Sequence, residues 1–176
     1  RRTVLAHGTL MDEDDFTRLR QAGAAVAHCP LSNTYFGDAA FPLRRALDTG
    51  VHVGLGTDIA GGPSASIFDS CRAAIGTARA LEHGLDGTLD RASRGRPGSR
   101  IDFREALWLA TAGGGEALDL PVGRFATGYR FDAIAIDTQA AGSDLRVWPE
   151  LDRPEDIVQK IVNGATRANV AGSSMC

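Results

Sequence analysis

The chain is expected to be an α/β protein with parallel strands, and three observations lead there. Short continuous apolar runs alternate with stretches of helical spacing, the pattern of strands covered on both faces. Each of the first three runs gives way to polar residues: His7, then Ser32 and Asn33 a few positions on, then Asp58. Glycines close the intervening helices at Gly23, Gly50 and Gly84. In parallel α/β folds ligands bind outside the carboxyl ends of the strands, so these polar residues share the rim where chemistry is expected.

The first strand is expected over residues 3–6, with His7-Gly8 at its tip. Residues 11–22 follow as a helix whose acids Asp12, Glu13, Asp14 and Asp15 suit the positive end of the macrodipole. Phe16, Leu19 and Ala22 lie on one face. Residues 24–27 form a second strand, which leads through His28-Cys29-Pro30 to Ser32-Asn33. A short helix spans 42–48, with Leu43, Ala46 and Leu47 apolar. Residues 51–55 form the third strand, ending in Gly56-Thr57-Asp58 and a loop that contains Gly61-Gly62. Asp58 is the first candidate for chemistry, although the same position also suits a helix-capping or solvated loop acid.

A long helix follows over 67–83, because Ile67, Cys71, Ala74, Ile75, Ala78 and Leu81 fall on one stripe. Residues 86–100 are rich in Gly, Ser and Arg and read as a surface loop. Asp102 is placed to cap the next helix, whose stripe is Phe103, Ala106, Leu107 and Ala110. Beyond Pro121 the pattern changes to short strands and turns, so a boundary is expected near Leu120, giving units 1–120 and 121–176. Pro154 opens a last helix with Ile157, Ile161 and Val162 inward.

A net charge of -3 gives no basic face for nucleic acid. No apolar run approaches the ~20 residues that span a bilayer, and the start at Arg1-Arg2 leads into a strand rather than a signal segment. Cys29, Cys71 and Cys176 are scattered without a paired spacing, which suggests reduced thiols and a cytoplasmic setting. Cys29, behind a buried strand, reads as packed rather than reactive.

Three segments carry a resemblance when taken in order: Leu5-Ala6-His7-Gly8, then His28-Cys29-Pro30-Leu31-Ser32-Asn33, then Gly54-Leu55-Gly56-Thr57-Asp58 with Gly61-Gly62. Their order and spacing resemble the last three barrel strands of the metal-dependent amidohydrolases. The Gly-Gly pair and Ser64-x-Ser66-Ile67-Phe68-Asp69 look most like the guanine deaminase branch. Residues 105–114 resemble that branch's helix and glycine turn after the barrel, and 128–137 its strand into the small β domain. The resemblance therefore implies the C-terminal part of a (β/α)8 barrel over 1–120 and part of a small β-sandwich domain over 121–176. It also implies one zinc ion, a cytoplasmic homodimer and a purine substrate, guanine, converted to xanthine and ammonia.

By the same resemblance Asp58 is a zinc ligand that also contacts substrate and takes the proton of the attacking water. His7 hydrogen-bonds the nucleophile and stabilises the tetrahedral intermediate. Ser32, Asn33, Gly61 and Gly62 are candidate substrate-binding residues. Side-chain capping of a turn explains Ser32 and Asn33 equally well, and a tight turn needs the same two glycines. The family's His-x-His and His-x-x-Glu are expected elsewhere, since no two of His7, His28, His52 and His83 have either spacing. His28 reads as a structural, hydrogen-bonded histidine, His52 lies at the opposite end of its strand, and His83 ends a helix. A barrel needs ~200 residues or more, so 176 residues are expected to be a portion of a longer enzyme.

Two other readings compete. One is an aminohydrolase of another amino-heterocycle, such as 8-oxoguanine, a triazine or an adenosine derivative; the Gly-Gly after the acid argues against it. The other is a catalytically incomplete association module, because open strand edges are pairing sites.

Overall fold

A computed structural model describes residues 3–37 and 39–174. Arg1, Arg2, Asp38, Met175 and Cys176 lie outside the described residues, and with them the basic start and the third thiol. The first three strands are β1 (Val4–Ala6), β2 (Ala25–His28) and β3 (His52–Leu55). They pair in parallel, in the order β1-β2-β3, with Leu5 opposite Val26 and Val26 opposite Val53. The sheet is open among the described residues. β2 and β3 are covered as expected, with Val26 and Val53 at 0% exposure. β1 departs from the expectation: Val4 and Leu5 stay 37% and 40% exposed, because among the described residues β1 packs chiefly on β2, whereas β3, also at an edge, is covered by α5 and α6.

The crossover helices are α1 (Glu13–Ala22), α2 (Pro30–Phe36), α3 (Leu43–Asp48) and α4 (Ile67–His83). α1 begins two residues later than the expected start at residue 11, since Asp12 is its cap: its carboxylate accepts from the amides of Asp14 and Asp15, and the Asp15 carboxylate accepts from the Asp12 amide. α2 has no counterpart among the helices expected from the sequence, where residues 28–33 simply lead away from the second strand. Pro30 in fact occupies the first helical turn, where its fixed φ and missing N–H cost nothing.

α5 (Phe103–Ala110) is capped by Asp102, paired reciprocally with Glu105. The expected glycine turn after it is instead a helix, α6 (Ala112–Leu118). Packing explains the difference. α6 lies directly on β3, and a Cβ on Gly54 would come within 2.9 Å of the Gly114 Cα. Gly113 and Gly114 let helix and strand backbones approach, and Gly115 makes room for the chain at Leu120 and Val122.

One core joins α1, β2, β3 and the helices α3 to α5 through Phe16, Val26, Val53, Cys71, Leu109 and their neighbours. The helix α7 (Pro154–Gly164) returns to it, placing a fully buried Val162 in the same cluster. The later strands β4 (Ala133–Ile136) and β5 (Val170–Ser174) form a separate two-stranded antiparallel sheet, with Ala135 opposite Gly172. Among the described residues no helix is long and apolar enough to cross a membrane.

Candidate functional site

Parallel pairing brings the three strand tips side by side, and the segments that leave them build one cleft. His7 follows β1 directly, its amide still donating to the Ala27 carbonyl of β2 at 3.0 Å. Ser32 and Asn33 come from the first turn of α2, and Asp58 stands three residues past β3. The Gly56 amide donates to His28 O at 2.8 Å, which carries the sheet register to the edge of the site. Ser70 of α4, fully buried, donates its hydroxyl to the Gly56 carbonyl at 3.1 Å and ties the tip to the helix layer.

His7, Thr9, Ser32, Asn33, Phe36 and Asp58 line an open cleft of about 330 Å³, within the ~300–1,000 Å³ usual for small-molecule sites. His7 Nδ1 lies 2.8 Å from Asn33 Oδ1, and His7 Nε2 lies 3.8 Å from Asp58 Oδ2. The imidazole thus stands between an amide oxygen and a carboxylate. His7 and Asp58 also share a backbone peculiarity, with φ of 68° and 52° in the left-handed region that residues with a Cβ rarely enter.

The sequence candidates distribute as follows. His7, Ser32, Asn33 and Asp58 come together in the cleft. Gly61 and Gly62 pack behind Asp58 on its own chain rather than on the cleft wall. A Cβ at Gly61 would lie 2.8 Å from Asp58 Oδ2, one at Gly62 would overlap the Thr57 carbonyl oxygen, and the Gly62 amide donates to Asp58 O at 2.5 Å. They form a tight turn that wraps the acid. The rest of that loop is anchored by Ser64, whose hydroxyl donates to Asp69 at 2.5 Å, and by an ion pair between Asp69 and Arg72. The Ser64 hydroxyl foremost, with Arg72, holds the Asp69 carboxyl below its usual range.

His28 is buried beneath the site. Its ring tilts against Phe41 at 5.1 Å between centroids, and its Nδ1 finds no partner. Burial, with a smaller contribution from His7, pushes its pKa down to about 3. The ring packs, as expected, but the expected hydrogen bond is missing at Nδ1. Burial, and then the Asp58 carboxylate, raise the Cys29 thiol above its ordinary pKa, which opposes a reactive thiolate. His52 and His83 open β3 and end α4, away from the cleft.

Thr9 and Phe36 were missed. Phe36 carried a signal: it stands three residues after Asn33, which is one helix face once Pro30 is read as a helix start. Thr9 carried none, because it follows Gly8 in irregular chain.

A metal ion at this cleft has one carboxylate and one imidazole to use. No group of three or more His, Cys, Asp or Glu suited to a metal occurs among the described residues. Asp58 is an oxygen donor suited to zinc, so the residues present fit one side of a zinc shell and do not complete it.

A model of the amidohydrolase family matches residues 1–169. A probable guanine deaminase of Schizosaccharomyces pombe is 36% identical over 140 residues, covering 78% of this chain and 25% of that protein. Guanine deaminase of Mus musculus is 33% identical over 149 residues, covering 84% and 31%. Among solved structures, guanine deaminase of C. acetobutylicum with bound guanine superposes with a TM-score of 0.78 at 24% identity, over 99% of this chain and 38% of that one. An adenosine deaminase of Xanthomonas campestris with bound zinc gives 0.76 at 22% identity, over 98% and 35%. The chain spans about a quarter to a third of these curated relatives.

Proposed function

We propose, on the premise that this chain belongs to the amidohydrolase family, that its cleft serves the hydrolytic deamination of guanine to xanthine and ammonia. The observation that carries the reading is the convergence of Asp58 and His7 on one gap at adjacent strand tips. The probable guanine deaminase of Schizosaccharomyces pombe and guanine deaminase of Mus musculus, 36% and 33% identical over 78% and 84% of the chain, support guanine as the substrate, while 5-methylthioadenosine/S-adenosylhomocysteine deaminases of Pyrococcus, 34–36% identical over 76–78%, favour an adenosine derivative as the second reading. In this reading residues 1–120 are late βα units of a barrel and 121–176 part of a small β domain. The whole protein is cytoplasmic and homodimeric.

The reaction adds water across the C2–N3 double bond of the purine, hydroxyl to C2 and proton to the ring nitrogen, and then breaks the exocyclic C2–amino bond to release ammonia. A bound zinc ion would supply a water that ionises near neutral pH, and Asp58 would hold the ion through one carboxylate oxygen. Asp58 also takes the proton from the attacking water, and its 35% side-chain exposure leaves it open to the cleft. His7 holds the same water through Nε2 and fixes its approach. Ser32, nearly fully buried on the wall, bounds the side on which the flat ring lies. By the family resemblance a glutamate from another strand carries the proton to the purine ring.

Xanthine formation measured by its ultraviolet absorbance tests the reading. Replacing Asp58→Asn is expected to lower kcat by about 10²–10⁴-fold, the span for loss of a positioned proton acceptor. The 176 residues alone are expected to be inactive, so the test uses the full-length enzyme: no turnover of guanine by its zinc-loaded wild type, or full turnover by the D58N variant, refutes the reading.

A further inference from the structure

His7 has two ring nitrogens, and the structure treats them differently. Nδ1 faces Asn33 Oδ1 at 2.8 Å, a full hydrogen-bond distance, whereas Nε2 faces Asp58 Oδ2 at 3.8 Å, beyond one. A side-chain amide oxygen carries no hydrogen, so with Asn33 Oδ1 turned to the ring, and its Nδ2 left buried without a partner, the proton of this pair sits on Nδ1. We propose that Asn33 is a positioning residue: it locks His7 as the Nδ1–H tautomer and aims an Nε2 lone pair at the gap shared with Asp58. This rests on the deaminase reading and assigns Asn33 a different task from touching substrate.

The surroundings suit the role. Asn33 is 9% exposed and set in α2, its amide donating to Cys29 O at 3.0 Å and its carbonyl accepting from Gly37 at 3.1 Å. His7, with a side chain 42% exposed, lies on the chain that leaves β1 and lacks such enclosure. A rigid helical residue therefore holds an exposed ring on a different element, and the link spans 26 positions. Tautomer and ring direction are the two properties a single bond at Nδ1 sets.

The consequence concerns the nucleophile. With Nδ1–H committed, neutral His7 presents only an acceptor at Nε2, and the Asp58 carboxylate is an acceptor as well. Two acceptors 3.8 Å apart repel unless a donor stands between or beside them. One water oxygen at ~2.8 Å from both satisfies the pair by donating one O–H to each. Its lone pairs then face away from both residues, toward the cleft where the purine carbon lies. A neutral His7 thus accepts from the attacking water, which replaces its expected role at the tetrahedral intermediate, since an Nε2 lone pair has no hydrogen to donate to a developing oxyanion.

Long-range proton–nitrogen NMR of ring-labelled protein distinguishes the two tautomers, with kinetics on guanine in parallel. Wild-type His7 is expected as Nδ1–H at pH 8. Asn33→Leu removes the acceptor and is expected to move the proton toward Nε2, with kcat falling about 10–100-fold and KM changing less than about threefold. Asn33→Asp keeps an oxygen acceptor and is expected to retain Nδ1–H and to recover most of kcat. An Nε2–H tautomer in the wild type overturns the proposal without any variant, and so covers the case in which N33L does not fold. An unchanged tautomer in folded N33L, or a loss confined to KM, overturns it too. If the tautomer shifts as stated but the protein does not deaminate guanine, the positioning role stands and the substrate assignment falls.

Discussion

Acid should weaken this protein through His28, a neutral imidazole sealed under the cleft. Its 2% exposure and the unpartnered Nδ1 give a proton nowhere favourable to go, so the folded pKa lies at about 3 against an unfolded value near 6.5. Because the folded pKa is depressed, the unfolded state binds the extra proton between those values. Stability is therefore full above about pH 6.5 and falls as pH drops toward 3. At pH 5 the imbalance amounts to about 2 kcal/mol, and by pH 4 to about 3 kcal/mol. Urea unfolding at pH 7.5 and pH 5.0 measures it, with His28→Leu as the comparison. Leu keeps an apolar body beside Phe41 and removes the titrating group. Carboxylates with lowered pKa, such as Asp69, weaken both proteins alike and cancel in the comparison. The wild type should lose about 2 kcal/mol more than H28L over that interval. Equal losses, or an NMR titration of His28 near 6.5, would refute the reasoning.

Two further outcomes follow from local geometry. Asp102→Ala removes the oxygen that accepts from the Arg104 and Glu105 amides, and should cost about 1 kcal/mol in chemical denaturation without altering KM; no measurable loss would mean that water caps α5 as well. Gly62→Ala drives a Cβ into the Thr57 carbonyl, so the turn behind Asp58 must open; kcat should fall with the melting temperature, and wild-type turnover in G62A would show that the turn does not hold the acid in place.

The strands and the long helices were legible because their signals are local. Val51 to Leu55 is apolar whichever partner it meets, and the stripe from Ile67 to Leu81 fixes a helix face before any packing is known. Strand ends therefore located His7 and Asp58 on one rim. What escaped depends on groups far apart in sequence. α6 carries three successive glycines, poor helix formers on their own, and is helical because Gly54 and Gly114 let it sit on β3. α2 was hidden behind Pro30, and with it the placing of Asn33 and Phe36 on one face. The exposed face of β1 was illegible for the same reason, since burial of a strand is a property of its neighbours and not of Val4 or Leu5.

The backbone supplies an independent argument that the two strand tips are built for aim. Among the described residues, the non-glycine positions in the left-handed region are His7, Asp58 and Asp119. Asp119 is the carboxyl-terminal cap of α6, where that conformation satisfies orphan carbonyls, its amide turning back to Glu116 and Gly115. His7 and Asp58 cap no helix, and each carries about 1–2 kcal/mol of local strain that glycine would relieve. Glycine, however, has no imidazole or carboxylate. The turn that reverses the chain at each tip is what rotates these side chains over the strand ends and brings Nε2 and Oδ2 to 3.8 Å. Gly8, at φ 68°, absorbs the rest of the turn at one tip, and at the other Gly61-Gly62, having no Cβ, pack closely against Asp58 and the Thr57 carbonyl. Strain retained at the two residues that face each other, and relieved by glycine beside them, is the distribution expected when the position of two side chains matters more than the stability of the turns that hold them.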